Sequence, residues 1–119
     1  MKIAVSSQGS TLESPVDSRF GRAAGFIVYD TDEGGFTHAG NEQNLNLAQG
    51  AGIQAAMNVA NTGAKAVITG HVGPKAYMAL EKGNIEVYLV TEGTVAQALD
   101  AHKAGKLQKI SGPDVEGHW

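Results

Sequence analysis

A chain of 119 residues, 42% hydrophobic and 18% charged, has enough apolar material for one packed core and too little for two ordinary domains. It has no cysteine, which excludes a disulfide framework, a thiolate metal site and a cysteine nucleophile. A formal net charge of -3 argues against the broad basic face that nucleic acids require, and the 16 glycines, scattered along the chain, point to turns and close backbone approaches rather than low complexity.

Lys2 to Ser6 alternates, with Ile3 and Val5 on one side, and reads as a strand. The charge at Lys2 is followed by too few apolar residues for a signal peptide, and no apolar run approaches membrane-spanning length. A cytoplasmic protein with no membrane partner is therefore expected. A long loop leads to Phe26-Ile27-Val28-Tyr29, a β-branched and aromatic strand, and the acidic turn from Asp30 to Gly35 returns the chain as a hairpin through a short third strand at Phe36 to Ala39. After a second polar loop, Ile53, Ala56, Met57 and Ala60 recur at the i, i+3, i+4, i+7 spacing of an amphipathic helix that closes at Gly63.

Ala66-Val67-Ile68-Thr69 is a continuous apolar run of the buried, parallel kind, and Pro74 opens a second helix that carries Tyr77 and Leu80 and ends at Gly83. Ile85 to Val90 is a fifth strand. Thr94 and Gln97 then form a capping box for a helix through Val95, Ala98, Leu99 and His102, closed by Gly105. From Lys106 to Trp119 there is no periodicity, so a surface segment is expected whose order depends on where Trp119 docks. The order of elements predicts a single domain over residues 1–119, of α/β class, with three α/β/α layers and a five-stranded mixed sheet of order 3-2-1-4-5 in which strand 2 is antiparallel.

In that topology four loops meet at one edge of the sheet: 7–22, 40–52, 70–74 and 92–94. Open α/β sheets bind their ligands at the carboxyl ends of the strands. Gly50, Gly52, Gly70, Gly73 and Gly93 each lie near the start of a helix, where free N–H groups and the positive end of the dipole favour an anion. Arg19-Phe20-Gly21-Arg22 places two guanidinium groups three positions apart, a spacing suited to clamping an anion, with Phe20 as an apolar wall. Pairing of Arg19 with Asp17 or Glu13, and a solvated Arg22, is the bland alternative. His71 sits at the end of a central strand, from which side chains reach the same edge.

Other chemistries find little support. His38, His102 and His118 lack zinc-site spacing, and Asp30, Asp32 and Glu33 read as hairpin-turn residues and not as calcium or magnesium ligands. There is no Walker A loop and no G-x-S-x-G elbow.

Lys2-Ile3-Ala4-Val5, Arg19-Phe20-Gly21-Arg22, Gly50-Ala51-Gly52, Gly73-Pro74, and Thr94-Val95 with Ala98-Leu99 and Gly105-x-Leu107, in that order, resemble the dinitrogenase iron–molybdenum cofactor biosynthesis family over nearly the whole chain. The resemblance is strongest to members that carry a mixed molybdenum–copper sulfide cluster. It implies a ribonuclease H-like α/β/α fold and a protein that carries a preformed metal–sulfide cluster without being an enzyme, in company with other proteins of a cluster-assembly or delivery complex. Many relatives have histidine near the Gly50-Ala51-Gly52 loop; this chain has Asn46-Leu47-Ala48-Gln49, which favours noncovalent capture.

The residues expected to hold the cluster are Ser7, Arg19, Phe20, Gly21, Arg22, Gly50, Ala51, Gly52, His71, Gly73, Pro74 and Gly93, with no catalytic residue and no direct metal ligand assigned. A small-anion or nucleotide sensor using the same face is the alternative. A two-metal nuclease, possible on this fold, would need carboxylates on the central strands, and Lys2 to Ser6 and Ala66 to Thr69 have none.

Overall fold

The computed structural model describes residues 1–41 and 50–113. The elements in chain order are β1 (Lys2–Ser7), β2 (Gly25–Asp30), β3 (Phe36–Gly40), α1 (Ala51–Asn61), β4 (Ala64–Thr69), α2 (Pro74–Lys82), β5 (Glu86–Leu89) and α3 (Val95–Lys103). The sheet has the order β3-β2-β1-β4-β5, with β1 antiparallel to β2, β2 antiparallel to β3, and β1, β4 and β5 mutually parallel. This is the expected topology, and it brings the carboxyl ends of β1, β3, β4 and β5 to one edge.

Both faces of the central strands are covered, which is why their sequences run apolar at successive positions. Ala4, Phe26, Val28, Val67 and Val87 meet Ala55, Ala56 and Val59 of α1 and Ala76 and Leu80 of α2 on one side. Ile3, Val5, Ile27, Ala66 and Ile68 meet Val95 and Ala98 of α3, together with Val16 of the first loop, on the other. Among the described residues no helix is long and apolar enough to cross a membrane.

The hairpin turn is built as its residues require. Asp30 N–H donates to the Gly35 carbonyl at 2.9 Å, and the Asp30 carboxylate accepts the N–H groups of Asp32 and Glu33 at 2.9 and 3.2 Å. Those two backbone donors hold the Asp30 carboxyl below its ordinary range. Among the described residues no group of three or more His, Cys, Asp or Glu side chains could hold a metal ion.

Two expectations need correction. α1 forms, but it buries Ala51, Gly52, Ala55, Ala56 and Val59, while Ile53 and Met57 are 41% and 53% exposed. The buried face is the small one, because α1 lies against both the sheet and α2, where short side chains permit close approach. The segment after α3 is also not wholly a surface strand of chain: Ile110 N–H donates to the Val87 carbonyl at 2.9 Å, Lys109 forms a β-bridge with Tyr88, and Leu107 and Ile110 pack against the two cores. The segment covers the β5 edge, which would otherwise expose a row of unpaired backbone groups. Trp119, and Asn46 to Gln49 in the second loop, lie outside the described residues.

Candidate functional site

The ends of β1 and β4 carry hydroxyls, and these fasten the first loop across the sheet edge. Ser6 and Thr69, both fully buried, share a hydrogen bond of 2.8 Å, and Ser6 Oγ donates to the Asp17 carbonyl at 2.6 Å. Asp17 N–H returns a bond to the Ser6 carbonyl at 2.8 Å. The chain then crosses so close to Gly70 that a Cβ there would stand 2.6 Å from the Ser18 carbonyl oxygen and 2.7 Å from its Cα. Glycine at position 70 is a requirement of this contact. Ser6 and Thr69 were missed as site-building residues; their signal was hydroxyl side chains at the ends of otherwise apolar strands.

Beyond Ser18 the loop joins the sheet briefly: Arg19 forms a parallel bridge with His71, and Phe20 N–H donates to the His71 carbonyl at 3.2 Å. Extended backbone alternates its side chains, so Phe20 turns inward while Arg19 turns out. Phe20 is fully buried, its ring 5.5 Å from that of Phe26. It is a core residue, and the expectation that it walls a ligand is corrected: the aromatic surface is consumed by packing against β2. Arg19 is 47% exposed in its side chain, with Nε 3.6 Å from Oδ1 of the nearly buried Asp17. The same carboxylate oxygen accepts Arg19 N–H at 3.0 Å. The pairing held open from sequence is therefore present.

Gly21 and Arg22 follow, buried and half-buried respectively. They are tied to α1 by Asn41, fully buried at the end of β3, whose Nδ2 donates to the carbonyls of Ala23 at 2.9 Å and Gly21 at 3.4 Å. Asn58 Nδ2 donates to Asn41 Oδ1 at 2.7 Å, and Gln54 Nε2 to Asn58 Oδ1 at 3.1 Å. A chain of amides thus links the arginine segment to α1. No sequence pattern announced it.

The helix starts differ. α1 begins at Gly50 in the left-handed region (φ 82°), α2 at Gly73 with Pro74 as its first residue, and neither has a side-chain cap. α3 is closed: Thr94 and Gln97 form the capping box, Val95 N–H donates to the Ser14 carbonyl at 2.9 Å, and Ala96 N–H to the Leu12 carbonyl at 2.8 Å. Gly93, at φ 96°, accepts Val16 N–H on its carbonyl. Ser7 is buried, its hydroxyl donating to the Gly9 carbonyl at 2.7 Å.

The structure therefore brings Arg19 to His71, two residues before the start of α2 at Gly73-Pro74, and links Gly21-Arg22 to the α1 helix that begins at Gly50-Ala51-Gly52. Ser7, at the end of β1, and Gly93, just before α3 and bonded to Val16, lie on the α3 side of the edge. A cavity of about 510 Å³ lies elsewhere, at the start of β1, lined by Met1, Ile3, Leu12, Tyr29, Leu99 and His102 among others. None of its lining residues is among those expected from sequence to hold a ligand.

The family described as dinitrogenase iron-molybdenum cofactor matches residues 1–105. The chain belongs to that family. A solved structure of the apo form of the orange protein from Desulfovibrio gigas is 41% identical, covers 96% of each chain and superposes with a TM-score of 0.93. A NifB-like protein from Thermotoga is 33% identical over 98% of each chain, with a TM-score of 0.85. An uncharacterised protein of Methanocaldococcus jannaschii is 31% identical over 92% of each chain. In this member of the iron-molybdenum cofactor family the arginine-bearing loop pairs with the chain at His71, two residues before the Gly73 N-cap of α2.

Proposed function

We propose that this protein carries an anionic metal–sulfide cluster, of the mixed molybdenum–copper sulfide type, held noncovalently at the carboxyl edge of its sheet and handed on to other proteins of an assembly or delivery complex without chemical turnover. The observation that carries the reading is the Arg19–His71 bridge, which brings the backbone of residue 19, whose side chain is half-exposed, to within two residues of the start of α2, where the N-cap residue is a glycine with no capping side chain. A helix start without a cap presents backbone N–H groups and the positive end of a dipole. Membership of the cofactor family supplies the class of cargo.

The donor set suits such cargo. Guanidinium and N–H groups bind anionic sulfide and do not bind bare cations, and the chain has no thiolate to displace a sulfide from its metal. Charge-assisted hydrogen bonds contribute roughly 1.5–3 kcal/mol each, so a few of them hold a cluster while leaving it free to depart. Arg19, Arg22, the backbone around Gly50-Ala51-Gly52 and Gly73-Pro74, and His71 at the rim are the groups we assign to binding. Arginine fits because its fork makes paired bonds to two acceptor atoms at once.

Titration of the apoprotein with tetrathiomolybdate and copper, followed by the visible charge-transfer bands, tests the reading. Molybdenum that stays with the protein after desalting, and falls in the Arg19→Ala, Arg22→Ala double variant, is the expected result. A colourless mixture with no retained molybdenum overturns it, and equal thermal stabilisation by orthophosphate or nucleotides would move the reading to a small-anion sensor.

A further inference from the structure

We infer that Asp17 is a positioning residue for cluster capture, one that aims Arg19 and takes up part of its charge so that the anion is held reversibly. This rests on the carrier reading above. Asp17 is 5% exposed, and its place is fixed by two hydrogen bonds with Ser6: its N–H donates to the Ser6 carbonyl, and its carbonyl accepts from Ser6 Oγ. Its side chain is thereby rooted in the sheet. From there Oδ1 accepts Arg19 N–H at 3.0 Å and lies 3.6 Å from Arg19 Nε.

That arrangement has two consequences of opposite sign for an anionic ligand. The bond to Arg19 N–H orders the backbone at residue 19 and so aims the guanidinium, which assists capture because less freedom is lost on binding. The negative charge of the carboxylate sits against the same guanidinium and repels any anion brought to it, which weakens capture. A residue present only for structure would need no charge. Asparagine offers the same Oδ1 acceptor to Arg19 N–H and no charge, so it separates the two effects.

The test compares wild type, Asp17→Asn, Asp17→Ala, Arg19→Ala and the Asp17→Asn, Arg19→Ala double variant, titrated with tetrathiomolybdate and copper at fixed ionic strength. Affinity is read from the visible bands and release from a chase with excess chelator; circular dichroism and thermal melts confirm that each variant is folded. The expected result is that Asp17→Asn binds roughly three- to tenfold more tightly and releases more slowly, the size of one partly screened unit charge. Asp17→Ala gains less, since it also loses the aim of Arg19, and in the Arg19→Ala background the gain from Asp17→Asn falls to less than half. An Asp17→Asn protein that is folded and binds no more tightly than wild type overturns the proposal, as does a gain that persists in full without Arg19. Failure of wild type to retain molybdenum overturns the carrier reading itself, and the role of Asp17 with it.

Discussion

The starts of α2 and α3 stand at the same edge of the same sheet, yet only α3 has an N-cap residue whose side chain closes it. At α3, Thr94 Oγ1 accepts Gln97 N–H, Gln97 Oε1 accepts Thr94 N–H, and the carbonyls of Ser14 and Leu12 take the N–H groups of Val95 and Ala96. At α2 the first residue is a proline, which has no N–H to satisfy, and Gly73 provides no capping side chain. A cap supplied by the protein itself contributes to stability, and the Gly73 N-cap supplies none. The first loop serves both ends, closing α3 with residues 12–16 and reaching towards α2 with residues 19 and 20.

The contrast is open to breaking. The largest effect is expected at Gly70, where alanine would drive a Cβ into the Ser18 backbone and lift the loop from the edge. Gly70→Ala should cost about 1–3 kcal/mol in denaturant unfolding and should also lose the retained molybdenum. A variant as stable as wild type would show that the close crossing does not anchor the loop.

Next is Gly73→Asp, which supplies α2 with the cap it lacks; the backbone there, φ -81° and ψ 173°, is one that aspartate adopts. Cluster affinity should fall about tenfold or more while stability changes by only a few tenths of a kcal/mol, because the carboxylate takes the place of the anion. Unaltered affinity in a folded Gly73→Asp protein would remove α2 from the site. The reciprocal change, Thr94→Ala, opens α3. It should cost about 1 kcal/mol of stability in thermal or denaturant melts and leave cluster binding unchanged.

The smallest effect lies far from both helix starts, where the segment after α3 meets β5. A hydrogen bond from the Tyr88 hydroxyl, and then Lys109, hold the Glu86 carboxyl below its ordinary value of 4.5, with Glu86 Oε1 3.0 Å from Tyr88 Oη and Oε2 3.3 Å from Lys109 Nζ. A carboxyl whose folded value is depressed contributes stability that is present above its unfolded value and is lost as the pH falls through the folded one. Melts from about pH 6 down to about pH 3 should therefore show a small acid-side loss that flattens in Glu86→Gln, with cluster binding at neutral pH unaffected.

Much of this was legible in the chain. The strands, the helices, the hairpin and the capping box of α3 follow from local periodicity and turn chemistry, and the sheet order follows from those elements and the handedness of their connections. The errors have a common cause. For α1 the apolar pattern can be drawn through two neighbouring faces, and the sequence points to the one with the larger side chains; contact with α2 and the sheet selects the small one. Phe20, flanked by arginines and glycine, looks like a ligand-facing aromatic until Phe26 is placed across from it.

By itself, the sequence determined which segments become strands and helices, that four loops meet at one edge, and that any ligand there must be held without thiolates. Those properties depend on residues a few positions apart or on composition. Only the tertiary structure decided that Arg19 is half-exposed with Asp17 against it, that the first loop closes the start of α3, and that Ser6 and Thr69 bind the loop to the sheet. The physical reason is separation along the chain. Ser6 and Thr69 are 63 residues apart, and the hydrogen bond between them exists only once β1 and β4 lie side by side.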